Sequence, residues 1–154
     1  MTFSPEAASL RLSDSQVSCL ASIAGHMIPA SAEFGVPAAN DPAILQDMLS
    51  IIDHRDHAAV VALLAHVDEA AGGFLCALGT AEQAALLARL RMERPGFFAV
   101  IENIVARAYY RDPRVLASIG MEYRPPFPKG YLVEQGDWSL LDPVRQRGRI
   151  YRDA

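Results

Sequence analysis

Several features that mark common classes of protein are missing from this chain of 154 residues. Only two cysteines occur, Cys19 and Cys76, and they lie far apart in apolar stretches, whereas disulfide-rich secreted domains carry more cysteines at closer spacing. We therefore expect both to be reduced. The first residues hold no export signal, and no uninterrupted apolar run reaches the roughly 18 residues that cross a membrane. These absences predict a cytoplasmic protein without membrane insertion.

Sequence motifs for covalent or phosphate chemistry are missing as well. The chain has no Gly-x-Ser-x-Gly motif and no glycine-rich loop after a strand, and neither cysteine has a histidine or a basic neighbour in sequence. We therefore predict no catalytic residue, and no cofactor or metal bound by this chain itself.

Basic side chains are scarce in the first part of the chain. Residues 1–88 hold two basic and ten acidic side chains, a net charge of −8, whereas residues 89–154 hold twelve basic and eight acidic ones, a net charge of +4. The C-terminal part is the face suited to an acidic partner. Its arginines alternate with carboxylates and form no dense basic run, so we expect no nucleic-acid partner.

Signals for helices fill the chain up to Gly120. Apolar residues recur at helical spacing after capping residues or prolines, and no segment before Gly120 alternates with a period of two. The predicted helix starts are, in order, Ser13 with Gln16, Asn40 or Asp41, Asp53 or Asp56, Thr80 with Gln83, Pro95, and Asp112 with Pro113. We predict an all-α fold, an irregular bundle of five to seven helices over residues 1–120, followed by an extended arm rich in proline and aromatic residues over residues 121–154.

The arm begins with the sequence GMEYRPPFPKGY, in which three prolines in four positions exclude a helix. Aromatic and basic side chains are frequent in the arm, although a disordered tail is normally poor in aromatics. A stiff segment loses little entropy when it binds, so the arm suits partner binding, while packing of its rings on its own bundle is the alternative. The predicted partner-binding residues are Tyr123, Arg124, Pro125, Pro126, Phe127, Pro128, Lys129, Tyr131 and Trp138.

The nearest approach to a metal site is the sequence DHRDH at residues 53–57. His54 and His57 are three residues apart and could face the same way on a helix, and nitrogen with carboxylate ligands would suit zinc or ferrous iron. His66 lies nine residues beyond His57, so the same face supplies no third ligand. A polar turn that caps the third helix is the simpler interpretation.

Most of the chain, from about Ser13 to Tyr131, resembles a known family: two stretches carry the resemblance, and the helical segment between them fits in length. HMIPASAEFGVPAANDPAILQDML at residues 26–49 and YYRDPRVLASIGMEYRPPFPKGY at residues 109–131 are similar to the gluconate 2-dehydrogenase subunit 3 family. In the first stretch the matching residues are Ile28, Pro29, Ala30, Gly35, Val36 and Pro37. In the second they are Tyr110, Asp112, Pro113, Gly120, Arg124, Pro125, Pro126, Phe127, Pro128, Gly130 and Tyr131.

The resemblance implies a small, non-catalytic subunit. In that family the small subunit accompanies an FAD-dependent dehydrogenase of the glucose-methanol-choline type, which oxidises a sugar or alcohol, often with a cytochrome subunit as electron acceptor. The implied role is to bind, stabilise or help mature such a large subunit, and FAD would reside in that partner.

The chain departs from the family at its start. Family members commonly begin with a twin-arginine signal, which this sequence lacks. A cytoplasmic complex needs the fewest assumptions, and export to the periplasm together with a partner is the alternative. Two other functions compete with the subunit hypothesis: a small metal-dependent protein that uses His54 and His57, and a free-standing helical scaffold.

Overall fold

A computed structural model describes residues 11–123 and 134–148. The chain divides into two units, Met1–Tyr123 and Arg124–Ala154. The described part of the first unit contains the helices α1 (Asp14–Met27), α2 (Pro42–Ile51), α3 (His54–Ala70), α4 (Thr80–Glu93), α5 (Pro95–Tyr109) and α6 (Pro113–Ser118), with a 3-10 turn at Leu75–Ala77. The described part of the second unit contains a 3-10 turn at Trp138–Leu141 and the helix α7 (Asp142–Gln146).

The predicted all-α class is confirmed: these residues form seven α-helices and no strand. The one pairing of the strand type among them is an isolated bridge between Ser31 and Val36 in the loop after α1. Residues 138–146 of the second unit are helical, whereas the sequence predicted an extended arm there. Asp137 caps the 3-10 turn by accepting a hydrogen bond from the backbone N–H of Ser139 (3.0 Å). The turn itself is too short for a helical period to be visible in the sequence.

Most helix starts follow the predicted caps. The side chains of Ser13 and Gln16 form the expected capping box, and Asp41, Asp53 and Asp112 cap α2, α3 and α6.

The start of α4 differs from the prediction of a Thr80–Gln83 capping box. Gly79 is the N-cap residue, and its N–H donates to Glu82 Oε2 (2.9 Å). Gln83 instead bonds to the carbonyl of Leu78 (2.9 Å) and to His26 Nε2 (3.0 Å). The N-cap residue of α4 is therefore Gly79, one residue before the predicted Thr80.

Helix α5 is the centre of the bundle. It packs most extensively against α2 and also against α3 and α4, while α1 packs against α3 and the 3-10 turn at Leu75–Ala77. Its buried side chains recur at helical spacing and line one broad face: Phe98, Ile101, Ile104, Val105, Ala108 and Tyr109. The remaining core comes from the other helices, with Leu20, Ile23, Ile44, Met48, Val60, Leu63, Leu64, Val67, Leu75, Leu86, Leu87 and Leu90.

One described stretch, His54–Ala77, is long and apolar enough to cross a membrane when judged by length and a mean hydropathy of 1.5 alone. It combines α3 with the following turn, and Gly72 and Gly73 interrupt it at positive φ. Five of its side chains, Val60, Leu63, Leu64, Val67 and Leu75, are buried in the core, as in a core helix of a bundle.

The loop between α1 and α2 is fastened to α5 by a tyrosine. Tyr109 is buried, and its hydroxyl donates a hydrogen bond to the carbonyl oxygen of Pro37 (3.1 Å). Burial raises the pKa of the Tyr109 hydroxyl, so the group stays protonated and able to donate. Tyr110 stands edge-on to Tyr109, with ring centroids 5.6 Å apart, and is exposed.

We expect Tyr109→Phe to destabilise the protein by about 1 kcal/mol, because it removes this hydrogen bond and leaves the Pro37 carbonyl without that donor. Tyr110→Phe is the matched control and should leave stability unchanged, since its exposed hydroxyl is solvated in either state. Urea unfolding followed by circular dichroism measures both variants. Equal stability of the two variants would contradict the assigned role of Tyr109.

Candidate functional site: the junction of helices α2 and α6

Helices α2 and α6 begin in the same way. Asp41 precedes Pro42 and accepts a hydrogen bond from the N–H of Ala43 (3.0 Å), while Asp112 precedes Pro113 and accepts one from the N–H of Arg114 (2.9 Å). Proline suits the first helical position, since the N–H that it lacks has no partner inside the helix. Each carboxylate satisfies a backbone donor that would otherwise be unpaired.

The guanidinium of Arg114 joins the two caps. Its Nη2 donates to Asp41 Oδ1 and to Asp112 Oδ2, both at 2.8 Å, and its Nη1 and Nε donate to the second oxygens of the same carboxylates at 3.1 and 3.0 Å. Arg114 is partly exposed, whereas Asp112 is 8% exposed. The planar fork of arginine is the side chain that can bind two carboxylates in this bidentate way.

The electrostatics of the three groups follow from these bonds. Hydrogen bonds from Arg114 lower the pKa of Asp41 and of Asp112, and bonds from the backbone of the next residues act in the same direction. Asp112 and then Asp41 raise the pKa of Arg114. All three groups therefore stay charged over the physiological pH range.

A second pair lies on the same side of the bundle. Arg111 Nε is 3.4 Å from Asp47 Oδ2, a distance that fits an ion pair. This buried oxygen accepts no hydrogen bond from the described residues. Asp47 and Arg111 line a cavity of about 170 Å³ together with Ile44, Ala108 and Tyr123. The cavity thus lies where the chain leaves the described part of the first unit.

These contacts bring together two distant stretches of sequence. Asp41 and Asp47 belong to residues 26–49, and Arg111 and Arg114 belong to residues 109–131. The hydrogen bond from Tyr109 to Pro37 is a third link between the same stretches. The described parts of these two segments, residues 26–49 and 109–123, therefore meet at one structural junction.

Exposed apolar side chains flank α6 in sequence, one before its start and three after its end. Tyr110, Ile119, Met121 and Tyr123 are each more than half exposed. Gly120 adopts φ +74, a conformation that favours glycine, and the N–H of Met121 bonds to the carbonyl of Leu116 (2.9 Å), so α6 ends sharply there. Tyrosine and methionine are enriched at protein interfaces.

Two of the nine predicted partner-binding residues, Tyr123 and Trp138, lie among the residues that the structure describes. Tyr123 is 65% exposed and Trp138 is 61% exposed, as a partner-binding role requires. The other seven lie outside the described residues: Arg124, Pro125, Pro126, Phe127, Pro128, Lys129 and Tyr131. The prediction for those seven stays a prediction.

The second unit adds exposed apolar residues that sequence reasoning missed. Leu140, Leu141 and Val144 are exposed, like Trp138, and Arg145 lies beside them in sequence. Trp138 Nε1 donates to Gln135 Oε1 (3.0 Å), which leaves its ring face uncovered by that contact. The proline of α7 at position 143, preceded by an acidic residue, is the signal that could have identified this short helix.

The DHRDH sequence has the structure of a helix cap. Asp53 accepts hydrogen bonds from the N–H groups of Arg55 (2.9 Å) and Asp56 (3.2 Å) and pairs with the Arg55 guanidinium (2.9 Å), which lowers the pKa of Asp53. His54 is exposed, and the buried His57 Nε2 has no hydrogen-bond partner among residues 11–123 and 134–148. Among the described residues, histidine, cysteine and acidic side chains form no group of three or more that could hold a metal ion.

Comparison with known proteins finds no family model, no curated protein and no solved structure that matches this chain. The assignment of a function therefore depends on the two sequence stretches, on their junction and on the exposed residues described above.

We expect Arg114→Met to destabilise the protein at pH 7, because the variant leaves the buried Asp112 carboxylate without its cation. The pKa values of Asp41 and Asp112 are lowered in the folded state, below the unfolded value of about 3.9 for aspartate. The stabilisation is thus complete above that unfolded value and is lost as the pH falls through the lowered folded values. Urea unfolding at a series of pH values should show the two proteins converging in acid.

Arg111→Met is the matched control, since Arg111 makes one longer contact with a carboxylate. It should have a smaller effect at pH 7. A difference between wild type and Arg114→Met that persists unchanged at the acid end would show that the carboxylates are not the reason for it.

Proposed function

We propose that this chain is a non-catalytic small subunit that binds and stabilises an FAD-dependent dehydrogenase of the glucose-methanol-choline type. Its docking surface comprises the exposed residues that flank α6 in sequence, here called the α6 surface (Tyr110, Ile119, Met121 and Tyr123), and the arm that follows. FAD resides in the large subunit, and a cytochrome subunit receives the electrons in complexes that have one. The complex is cytoplasmic.

The junction held by Arg114 is the observation that carries this proposal. The residues that carry the resemblance lie in two separate stretches, and the resemblance would be weak if those stretches lay apart in the fold. Arg114 and Asp41 are 73 residues apart in sequence, yet they form a bidentate pair of 2.8 and 3.1 Å. The described residues of both stretches thus meet in the fold, which supports one shared role for them.

The chemistry of the exposed residues supports binding to a protein. Buried aromatic residues and arginines dominate the energetics of interfaces, and the α6 surface offers two tyrosines with arginines beside them in sequence. A partner that is bound only in its folded form gains stability by mass action. A small subunit can therefore stabilise a large flavoprotein without contributing any catalytic group.

The binding test uses the tagged full-length chain, expressed in its native host and recovered under mild conditions. We expect a stoichiometric large protein with the absorbance spectrum of bound flavin, and peptide mass spectrometry should identify it as a dehydrogenase of the proposed type. Recovery of the chain alone, or with a protein that holds no flavin, would contradict the proposal.

We expect Tyr123→Ala to weaken this association by about tenfold or more, as truncation of an interface aromatic does at a hot spot. The same direction is expected for Phe127→Ala combined with Tyr131→Ala. Phe74→Ala is the matched control, because Phe74 is 61% exposed but lies outside both matching stretches. Circular dichroism of the isolated variants should show unchanged helix content. Equal losses for Tyr123→Ala and Phe74→Ala would contradict a specific α6 surface.

A further inference from the structure

The two cysteines of the chain lie in one cluster outside the α6 surface. Cys76 Sγ in the 3-10 turn is 3.2 Å from the hydroxyl oxygen of Ser22 on α1. Cys19 precedes Ser22 by three residues on the same helix, so the two side chains are neighbours on one helix face. Helix α1 packs directly against the turn that carries Cys76.

The environments of the two thiols differ. Cys19 is 1% exposed, whereas Cys76 is exposed. Burial raises the pKa of the Cys19 thiol, and the neighbouring Asp68 carboxylate and Cys76 act in the same direction. Cys76 is thus the thiol that a dissolved reagent reaches first, whereas Cys19 is shielded from solvent.

Asp68 holds the turn in place. Its Oδ1 accepts a hydrogen bond from the N–H of Leu75 (2.9 Å), and the Leu75 side chain is fully buried. Because both the backbone N–H and the side chain of Leu75 are held in place, the adjacent Cys76 stays beside α1. The preceding Gly72 and Gly73 adopt positive φ and allow the chain to reverse into this position.

We propose that Cys19 and Cys76 form an intramolecular disulfide when the protein meets a peroxide, so that the pair is a redox-sensitive link between α1 and the turn after α3. The proposal does not depend on the proposed function. It rests on the contact of Cys76 with Ser22, which lies one helical turn from Cys19, on the packing of α1 against the turn, and on the contrast between one exposed and one buried thiol.

The chemistry proceeds in two steps. The Cys76 thiolate, to which the Ser22 hydroxyl can donate a hydrogen bond, attacks a peroxide oxygen; with hydrogen peroxide the O–O bond breaks, and the products are a sulfenic acid and hydroxide. Cys19 then attacks the sulfenic sulfur, the S–S bond forms, and the departing hydroxide takes the Cys19 proton as water. The two thiols are oxidised by two electrons, and the peroxide is reduced.

The disulfide would constrain the unfolded chain. It closes the long loop between residues 19 and 76, and closure of a long loop lowers the entropy of the unfolded state. The oxidised protein should therefore unfold at a higher temperature than the reduced protein.

The test treats the full-length protein with hydrogen peroxide and measures its intact mass and its thiols after denaturation. We expect a monomer that has lost two hydrogen atoms, has no thiol available to maleimide, and regains both thiols with dithiothreitol. Peptide mapping without reduction should yield one species that links Cys19 to Cys76. The reversible rise in the unfolding temperature should follow the same reduction.

Cys76→Ser should remove both the mass change and the temperature shift, and Ser22→Ala is a control that keeps both thiols and should still form the disulfide. Cys19→Ala should leave Cys76 to accumulate as a sulfenic acid that dimedone traps. The proposal is overturned if wild type retains both thiols, gains oxygen without losing hydrogen, or forms dimers through Cys76. These outcomes are read on the wild type and do not require any variant to fold.

Discussion

The placement of α6 depends on one guanidinium. Arg114 binds the carboxylates that cap α2 and α6, and it does so through four donor contacts between 2.8 and 3.1 Å. A helix of six residues has little stability of its own, because nucleation costs more than so few hydrogen bonds return. The caps, Pro113 and the attachment to Asp41 therefore determine where α6 lies, and with it the direction in which the chain leaves at Tyr123.

The rest of the proposed interface builds on that placement. The loop of residues 28–41 is fixed to α5 by Tyr109, and Gly120 ends α6, so Ile119, Met121 and Tyr123 are presented from an ordered base. Preorganised side chains lose less entropy on binding than those of a mobile segment. Basic residues concentrate in the part of the chain that carries this surface, which favours a partner with acidic groups around an apolar centre.

Local signals account for what could be predicted from the sequence. Ser13 with Gln16, and Asp112 with Pro113, act within one helical turn, so their pattern is visible along the chain. The prediction of Thr80 as the capping residue was wrong because Gln83 bonds instead to the carbonyl of Leu78 and to His26. His26 lies 57 residues from Gln83 in sequence. The pairing of Arg114 with Asp41 and the meeting of Ser22 with Cys76 are tertiary contacts, which no local pattern encodes. The helical turn at Trp138 was missed because it is too short for a period to emerge.

Hydrogen exchange of the isolated chain and of the chain mixed with the proposed flavoprotein partner tests the central claim most directly. If the chain docks through the surface that Arg114 organises, the amides of residues 110–123 gain protection on binding, and those of the 3-10 turn at Leu75–Ala77 keep the protection of the isolated chain. Protection gained at that turn while residues 110–123 stay unchanged would contradict the account.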